Sequence, residues 1–200
     1  MTDVRTLSHH LVAERRPASI AERGLSPAAA LLLLYERDGE EHVLFQLRTQ
    51  RVLHHRGEIS LPGGAREAED ESLLATALRE TEEEIGVSPS HVEVFGRLDE
   101  VATISSKYRI APFVGAITRP GRYPFRCDER EVQELLEVPL AQLCREREAS
   151  WSVSERDGEA VPERSFRYGE HLIWGVTARA VGQYLDLLAE VGVPPPGAGR

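Results

Sequence analysis

The sequence predicts an α/β protein with helices packed around a mixed β-sheet, and three observations predict it. Residues 28–36 and 41–47 are apolar runs separated by Arg37-Asp38-Gly39-Glu40, a strong hairpin signal. Further strand-like runs follow at 92–98, 109–117 and 132–137. Two segments have helical spacing instead: one runs through Leu74, Ala77, Leu78, Thr81 and Ile85, the other through Val176, Ala180, Tyr184, Leu187 and Leu188. Strands interleaved with helices, with hairpins among them, argue for α/β layers rather than a bundle or a sandwich of sheets.

Taken in order, residues 4–24 hold a weak helical pattern (Leu7, Leu11, Val12, Ile20, Ala21) broken at Pro17. The two hairpin strands follow, then an Arg- and His-rich loop over 49–60. Leu61-Pro62-Gly63-Gly64 leads towards a helix. Asp70 reads as its N-cap and Glu71 as a favourable charge in its first turn. Gly86 sits where a helix ends on a positive φ. Pro139 suits the first position of a short helix reaching about Glu146. Residues 166–172 read as one more strand, and a helix over 173–191 closes the domain.

Two hundred residues, 41% of them hydrophobic, suffice for one compact domain with its own core. The expected organisation is a single domain over 1–200: a core of about 27–190, an N-terminal helical extension at 1–26 and a frayed Pro/Gly tail at 192–200. A formal charge of −9 argues against nucleic-acid binding, which demands a basic face. The longest apolar run is far too short to span a bilayer, so no membrane partner is expected. Cys127 and Cys144 lack metal-ligand spacing and read as free thiols of a reducing, cytoplasmic compartment.

The most informative stretch is RETEEEIGV at 79–87. Glu80, Glu83 and Glu84 stand at i, i+3 and i+4, within about 100° of one another around a helix. The apolar stripe of the same helix lies on a separate arc. Like charges about 5 Å apart repel by roughly 3 kcal/mol at an effective dielectric of 20, and hard divalent cations offset such charge through carboxylate oxygen. Arg79, four residues before Glu83, can brace that carboxylate. Against this stands the ordinary reading of a Glu-rich run as a solvated helix face.

These residues resemble the Nudix hydrolase box, G-x5-E-x7-R-E-U-x-E-E-x-G-U, at Arg79, Glu80, Glu83, Glu84, Gly86 and Val87, with Thr81 in the first aliphatic place. The first half departs, since counting from Gly64 lands on Asp70 and counting back from Arg79 lands on Glu71. A branch of that family, the coenzyme A diphosphatases, carries G-G-x-x-[DE]-x-x-D, six residues and A-L-R-E. Gly63, Gly64, Glu67, Asp70 and Ala77-Leu78-Arg79-Glu80 are similar at that spacing. Upstream, Arg48, Gly57 and Pro62-Gly63-Gly64 resemble the branch's leading segment, with Gln46 for Thr, Leu53 for Arg and Leu61 for Phe. His55 stands where this branch often has His. YRIAPFVG at 108–115 and FRYGEHLIWGVTARA at 166–180 are similar too.

The resemblance implies a Nudix-type α/β/α sandwich around a mixed sheet, and hydrolysis of a nucleoside diphosphate linked to another group. It implies Mg2+ or Mn2+ held by Glu80, Glu83 and Glu84, with Arg79 orienting Glu83. Gly63 and Gly64 would bring the N-terminal end of the helix close to the metals. The base is left open between Glu83 or Glu80 in the box and Glu131 or Glu134 in a later loop. Arg48 and His55 are the candidates for substrate contacts, with Gly63, Gly64 and Tyr108. The expected substrate is coenzyme A, cleaved to 4′-phosphopantetheine and 3′,5′-ADP. The alternatives are a broader ADP-ribose or dinucleotide diphosphatase, and a non-catalytic nucleotide-sensing module.

Overall fold

The structure, a computed structural model, describes residues 4–21, 24–50, 57–103, 106–119, 121–156 and 159–190. It begins with helix α1 (Val4–Ala13), then strands β1 (Ser26–Arg37), β2 (Glu40–Arg48), β3 (Ile59–Ser60) and β4 (Gly63–Ala65), and helix α2 (Leu73–Ile85). Strands β5 (Val92–Arg97), β6 (Val101–Ala102), β7 (Tyr108–Ile117) and β8 (Val132–Pro139) lead to α3 (Leu140–Glu146). Two small hairpins follow, β9 (Trp151–Arg156) with β10 (Glu159–Arg164) and β11 (Phe166–Tyr168) with β12 (His171–Ile173), before α4 (Gly175–Glu190). Among the described residues, no helix is long and apolar enough to cross a membrane.

The eight-stranded mixed sheet is organised around β1. One edge of β1 pairs in parallel with β7, from Ser26↔Tyr108 to Leu34↔Ala116. Its other edge is shared: the C-terminal end makes the hairpin with β2, and Ala28–Ala30 pair with β4. The hairpin turn has Asp38 at φ 54° and Gly39 at φ 81°, the paired positive values of a two-residue turn that matches strand twist.

Both faces of the sheet are covered, which explains why β1 reads as a continuous apolar run instead of an alternating one. Leu32 and Leu34 point into a core shared with α1, α3 and α4, where Val12, Phe45, Val181 and Leu185 pack. Leu31, Leu33 and Tyr35 point the other way, into a core under α2 with Ala77, Ile85 and Val87. Leu31 through Leu34 are fully buried; each such side chain contributes about 1.5–3 kcal/mol of transfer free energy. The α/β/α layering is thus the one expected.

Several expectations are corrected in detail. The N-cap of α2 is Ser72, whose hydroxyl accepts the Ala75 amide at 3.1 Å; Asp70 and Glu71 lie outside the helix. Residues 166–172 form a hairpin turning at Gly169, φ 59°, where one strand was expected. The β9–β10 hairpin went unread because its strands are polar, although Asp157-Gly158 between them is a hairpin dipeptide. Helix α1 packs on the core, with Val12 buried and Ser8 sharing a 2.6 Å hydrogen bond with the buried Tyr184 hydroxyl.

Candidate active site

Helix α2 lays its apolar stripe on β1 and turns Glu80 and Glu84 towards β4. Gly86 ends it at φ 71°, donating to the Glu82 carbonyl, as expected of a left-handed cap. A Cβ at Gly86 would press on Arg126, whose amide donates to the Ile85 carbonyl at 3.1 Å. The Asp128 amide donates likewise to the Glu84 carbonyl at 2.9 Å. Segment 126–131 therefore closes the carbonyl end of α2 and brings Glu131 beside it.

Glu84 is not on a solvated face. It is 3% exposed. One carboxylate oxygen accepts the Gly63 amide at 2.8 Å and the other accepts Arg48 Nη1 at 3.0 Å. The fully buried Gln46 amide lies beside it, on the same face of β2 as Arg48 two residues on. Burial pushes the Glu84 carboxyl up to about 7; the Gly63 amide, Gln46 and Arg48 oppose that shift, and the charge of Glu80 adds to it. Burial also raises the Glu80 carboxyl, with Glu83 and Glu131 adding to the shift and Arg79 holding it back.

Arg48 joins two carboxylates, since its Nη2 lies 3.3 Å from Glu131. The Thr49 amide and hydroxyl bond the carbonyls of Glu131 and Arg130, both at 2.8 Å, fixing that loop to the end of β2. Glu134 belongs to β8 and sits across from Leu47. Leu135 next to it packs on the α2 side, so strand alternation puts Glu134 on the other face.

Arg79 is the hub of the helix's outer side. It meets Glu83 at 3.2 Å, as the i, i+4 spacing implied, and Glu80 at 3.0 Å. Its strongest partner is Asp70, bonded through Nε and Nη2 at 3.0 and 3.1 Å. Asp70 is buried and also accepts the Glu67 amide and the Thr76 hydroxyl. The Arg79 hydrogen bonds hold its carboxyl well below the usual range, against the effect of burial. Glu83 remains 60% exposed at its side chain.

Gly63 and Gly64 lie against the C-terminal half of α2, not its N-terminal end. A Cβ at Gly64 would sit 2.5 Å from the Glu80 carboxylate, and one at Gly63, φ 150°, would sit 2.3 Å from the Ala29 carbonyl oxygen. Tyr108, Arg48 and both glycines line a cavity of about 250 Å³ between β4 and α4. His55 and Leu53 fall outside the described residues. Glu80, Glu84, Glu131 and Arg48 converge; Glu83 stands at the edge. The α4 side chains Val176, Thr177 and Ala180 in the cavity wall were missed, because nothing in their spacing marks them off from core positions.

Among the described residues, no three His, Cys, Asp or Glu side chains are placed to hold a metal ion together. The donors nonetheless fit a hard cation. Two carboxylates, both raised by burial and each repelling the other, face the Gly63-Gly64 strand. Mg2+ is ordinarily held by one or two carboxylates plus substrate phosphate rather than by an all-protein cage.

A helix presenting buried carboxylates to a glycine strand, on a mixed sheet covered by helices on both faces, defines a class. The NUDIX domain model matches residues 25–158, and the chain belongs to the Nudix family. Among its relatives it is 35% identical over 167 residues to the Nudix hydrolase NudL of Escherichia coli O1:K1, covering 84% of each chain. Solved structures with a similar fold include RenU, a Nudix hydrolase from M. smegmatis, at TM-score 0.55 and 21% identity over 90% of this chain and 94% of that one. A MutT/nudix family protein from Enterococcus faecalis has TM-score 0.56 and 18% identity, over 88% of this chain and 66% of that one.

Proposed function

We propose that this Nudix hydrolase cleaves the diphosphate of coenzyme A, giving 4′-phosphopantetheine and 3′,5′-ADP, and that residues 1–200 act as one domain. The observation that supports the reading best is the convergence of Glu80, Glu84, Glu131 and Arg48 beside a glycine strand that also borders an apolar cavity. Glu80 and Glu84 would hold the divalent cation, Mg2+ or Mn2+, with Glu83 assisting from the rim. When bound, that ion neutralises diphosphate charge and makes a water molecule more acidic.

The remaining work falls to the chain's own groups, as phosphoryl transfer asks mainly for positioning and charge neutralisation. Gly63 fixes Glu84 through its amide and Arg48 fixes it from the other side. Arg79 restrains Glu80 and Glu83 and is itself held by Asp70. Of the carboxylates open as base, Glu131 is best suited: it is half-exposed, so water reaches it, and it is oriented by Arg48. Glu131 would take a proton as the water oxygen bonds to phosphorus and the bridging P–O bond breaks. The leaving phosphate departs with the bond's electron pair.

Purified protein with Mg2+ or Mn2+ should be offered coenzyme A, ADP-ribose, NADH and diadenosine polyphosphates, with products resolved by chromatography. Coenzyme A should give the highest kcat/KM. If it is the slowest substrate, the specific reading fails in favour of the broader dinucleotide one. Protein inactive on all four would favour a nucleotide-binding module.

A further inference from the structure

We propose that the cavity between β4 and α4 receives the uncharged arm of the substrate, an aliphatic chain interrupted by amides, while the phosphates remain on the carboxylate side of β4. This rests on the diphosphatase reading and adds to it the group that is recognised and the residues that recognise it.

Position comes first. Gly63, Gly64 and Ala65 form one wall of the cavity. The Cβ direction of Gly64 points away from it, towards Glu80. One strand's thickness thus separates cavity from carboxylates. Arg48 borders both, lining the cavity while it bonds Glu84. A group one or two bonds from the reacting phosphate can therefore pass from one side to the other.

Size and chemistry narrow the occupant. A volume of about 250 Å³ lies just below the range of whole ligand sites, so it holds part of a substrate. Among the described residues the walls are aliphatic, with Ala30, Ile110, Pro112, Val176 and Ala180, and charge is confined to Arg48 and Glu58 at the β2–β3 end. A phosphate would need further cations, since Arg48 already serves two carboxylates. A purine sandwiched between rings would need more than Tyr108, the single aromatic side chain in the described lining.

Hydroxyls supply the polar contacts instead, from Tyr108 and Thr177. A hydroxyl both donates and accepts, which suits an amide offering one N–H and one carbonyl.

The test uses the full chain, pantetheine as the arm without its diphosphate, and two variants. Val176→Phe fills the cavity and Thr177→Val removes one lining hydroxyl with little change of shape. Pantetheine should bind the wild-type protein in calorimetry or ligand-observed NMR, and Val176→Phe should abolish that binding. With coenzyme A, Val176→Phe should raise KM at least tenfold and Thr177→Val about threefold to tenfold, kcat staying within threefold. Should Val176→Phe fail to fold, the Thr177→Val shift decides alone. Coenzyme A turned over with both variants at wild-type KM would overturn the pocket and leave the diphosphatase reading standing. Pantetheine bound and lost as expected, in a protein that cleaves no coenzyme A, would uphold the pocket and overturn the diphosphatase reading instead.

Discussion

The Gly63 amide donates to the Glu84 carboxylate at 2.8 Å, joining a strand to a helix residue twenty-one positions later. That bond makes Glu84 a buried group closing the floor of the site, not one member of a solvated charged face. Its neighbour Gly64 faces Glu80 in the same way, with only a hydrogen where any other residue would carry carbon.

The two glycines should therefore fail differently. Gly63→Ala drives a methyl into the Ala29 backbone at a φ that disfavours side chains. It should cost about 3 kcal/mol or more, visible as a large fall in the urea midpoint. Gly64→Ala meets only the flexible end of Glu80. Its stability should change by about 1 kcal/mol or less while turnover falls at least tenfold.

Glu84 gives a pH dependence of definite sign. Its folded-state pKa, about 7, exceeds the ordinary value of 4.5, so the folded protein binds the proton more tightly than the unfolded chain. The apo-protein should thus be favoured below pH 4.5 by this group and lose about 3 kcal/mol of that advantage as pH rises to 7. Glu84→Gln should remove this slope in urea titrations without added metal, make the apo-protein no less stable at pH 8, and abolish turnover. Retained turnover would contradict a ligand role.

Arg48→Met leaves the Glu84 charge buried without its cation. The loss should be about 1–2 kcal/mol at pH 8, where protonating Glu84 costs about 1.4 kcal/mol, and smaller at pH 6, where the proton is already bound. Denaturation of both proteins at the two pH values checks this. An equal loss at both would mean that the pair does not govern the site's charge.

Asp70 behaves in the opposite sense. Its folded-state pKa is depressed by Arg79, so its contribution is present above pH 4 and disappears as acid protonates it. Asp70→Asn should cost about 2–3 kcal/mol at pH 7, and wild type and variant should start to converge below pH 4 and meet only in strong acid, once the depressed folded-state value is passed. Turnover should fall as well, because Arg79 would no longer be anchored while it restrains Glu80 and Glu83.

Competition between protons and cations at Glu84 predicts a further pH effect. Apparent affinity for Mg2+ should weaken as pH drops from 8 to 6, by up to about tenfold per unit below 7. Calorimetric titration across that range would show it, and an affinity independent of pH would remove Glu84 from the ligand set.

Local pattern made much of this molecule legible. Repeated apolar residues in β1, the Asp38-Gly39 turn and the spacing of α2 dictate elements through nearest-neighbour geometry, and each stands close to where it was expected. The motif at 79–87 likewise marked the helix that carries the carboxylates. What folding alone decided is the environment of each charge. Glu80, Glu83 and Glu84 look equivalent on a helical wheel, yet one is buried under Gly63, one is shielded by Gly64 and one is left in water. Asp70 became an anchor for Arg79 instead of a cap, Glu131 and not Glu134 came to meet Arg48, and α4 supplied a wall to a cavity whose glycine strand lies more than a hundred residues away in sequence. Burial and partner identity are long-range quantities, set by which strands pair and which loops close a helix end, and a linear pattern does not encode them.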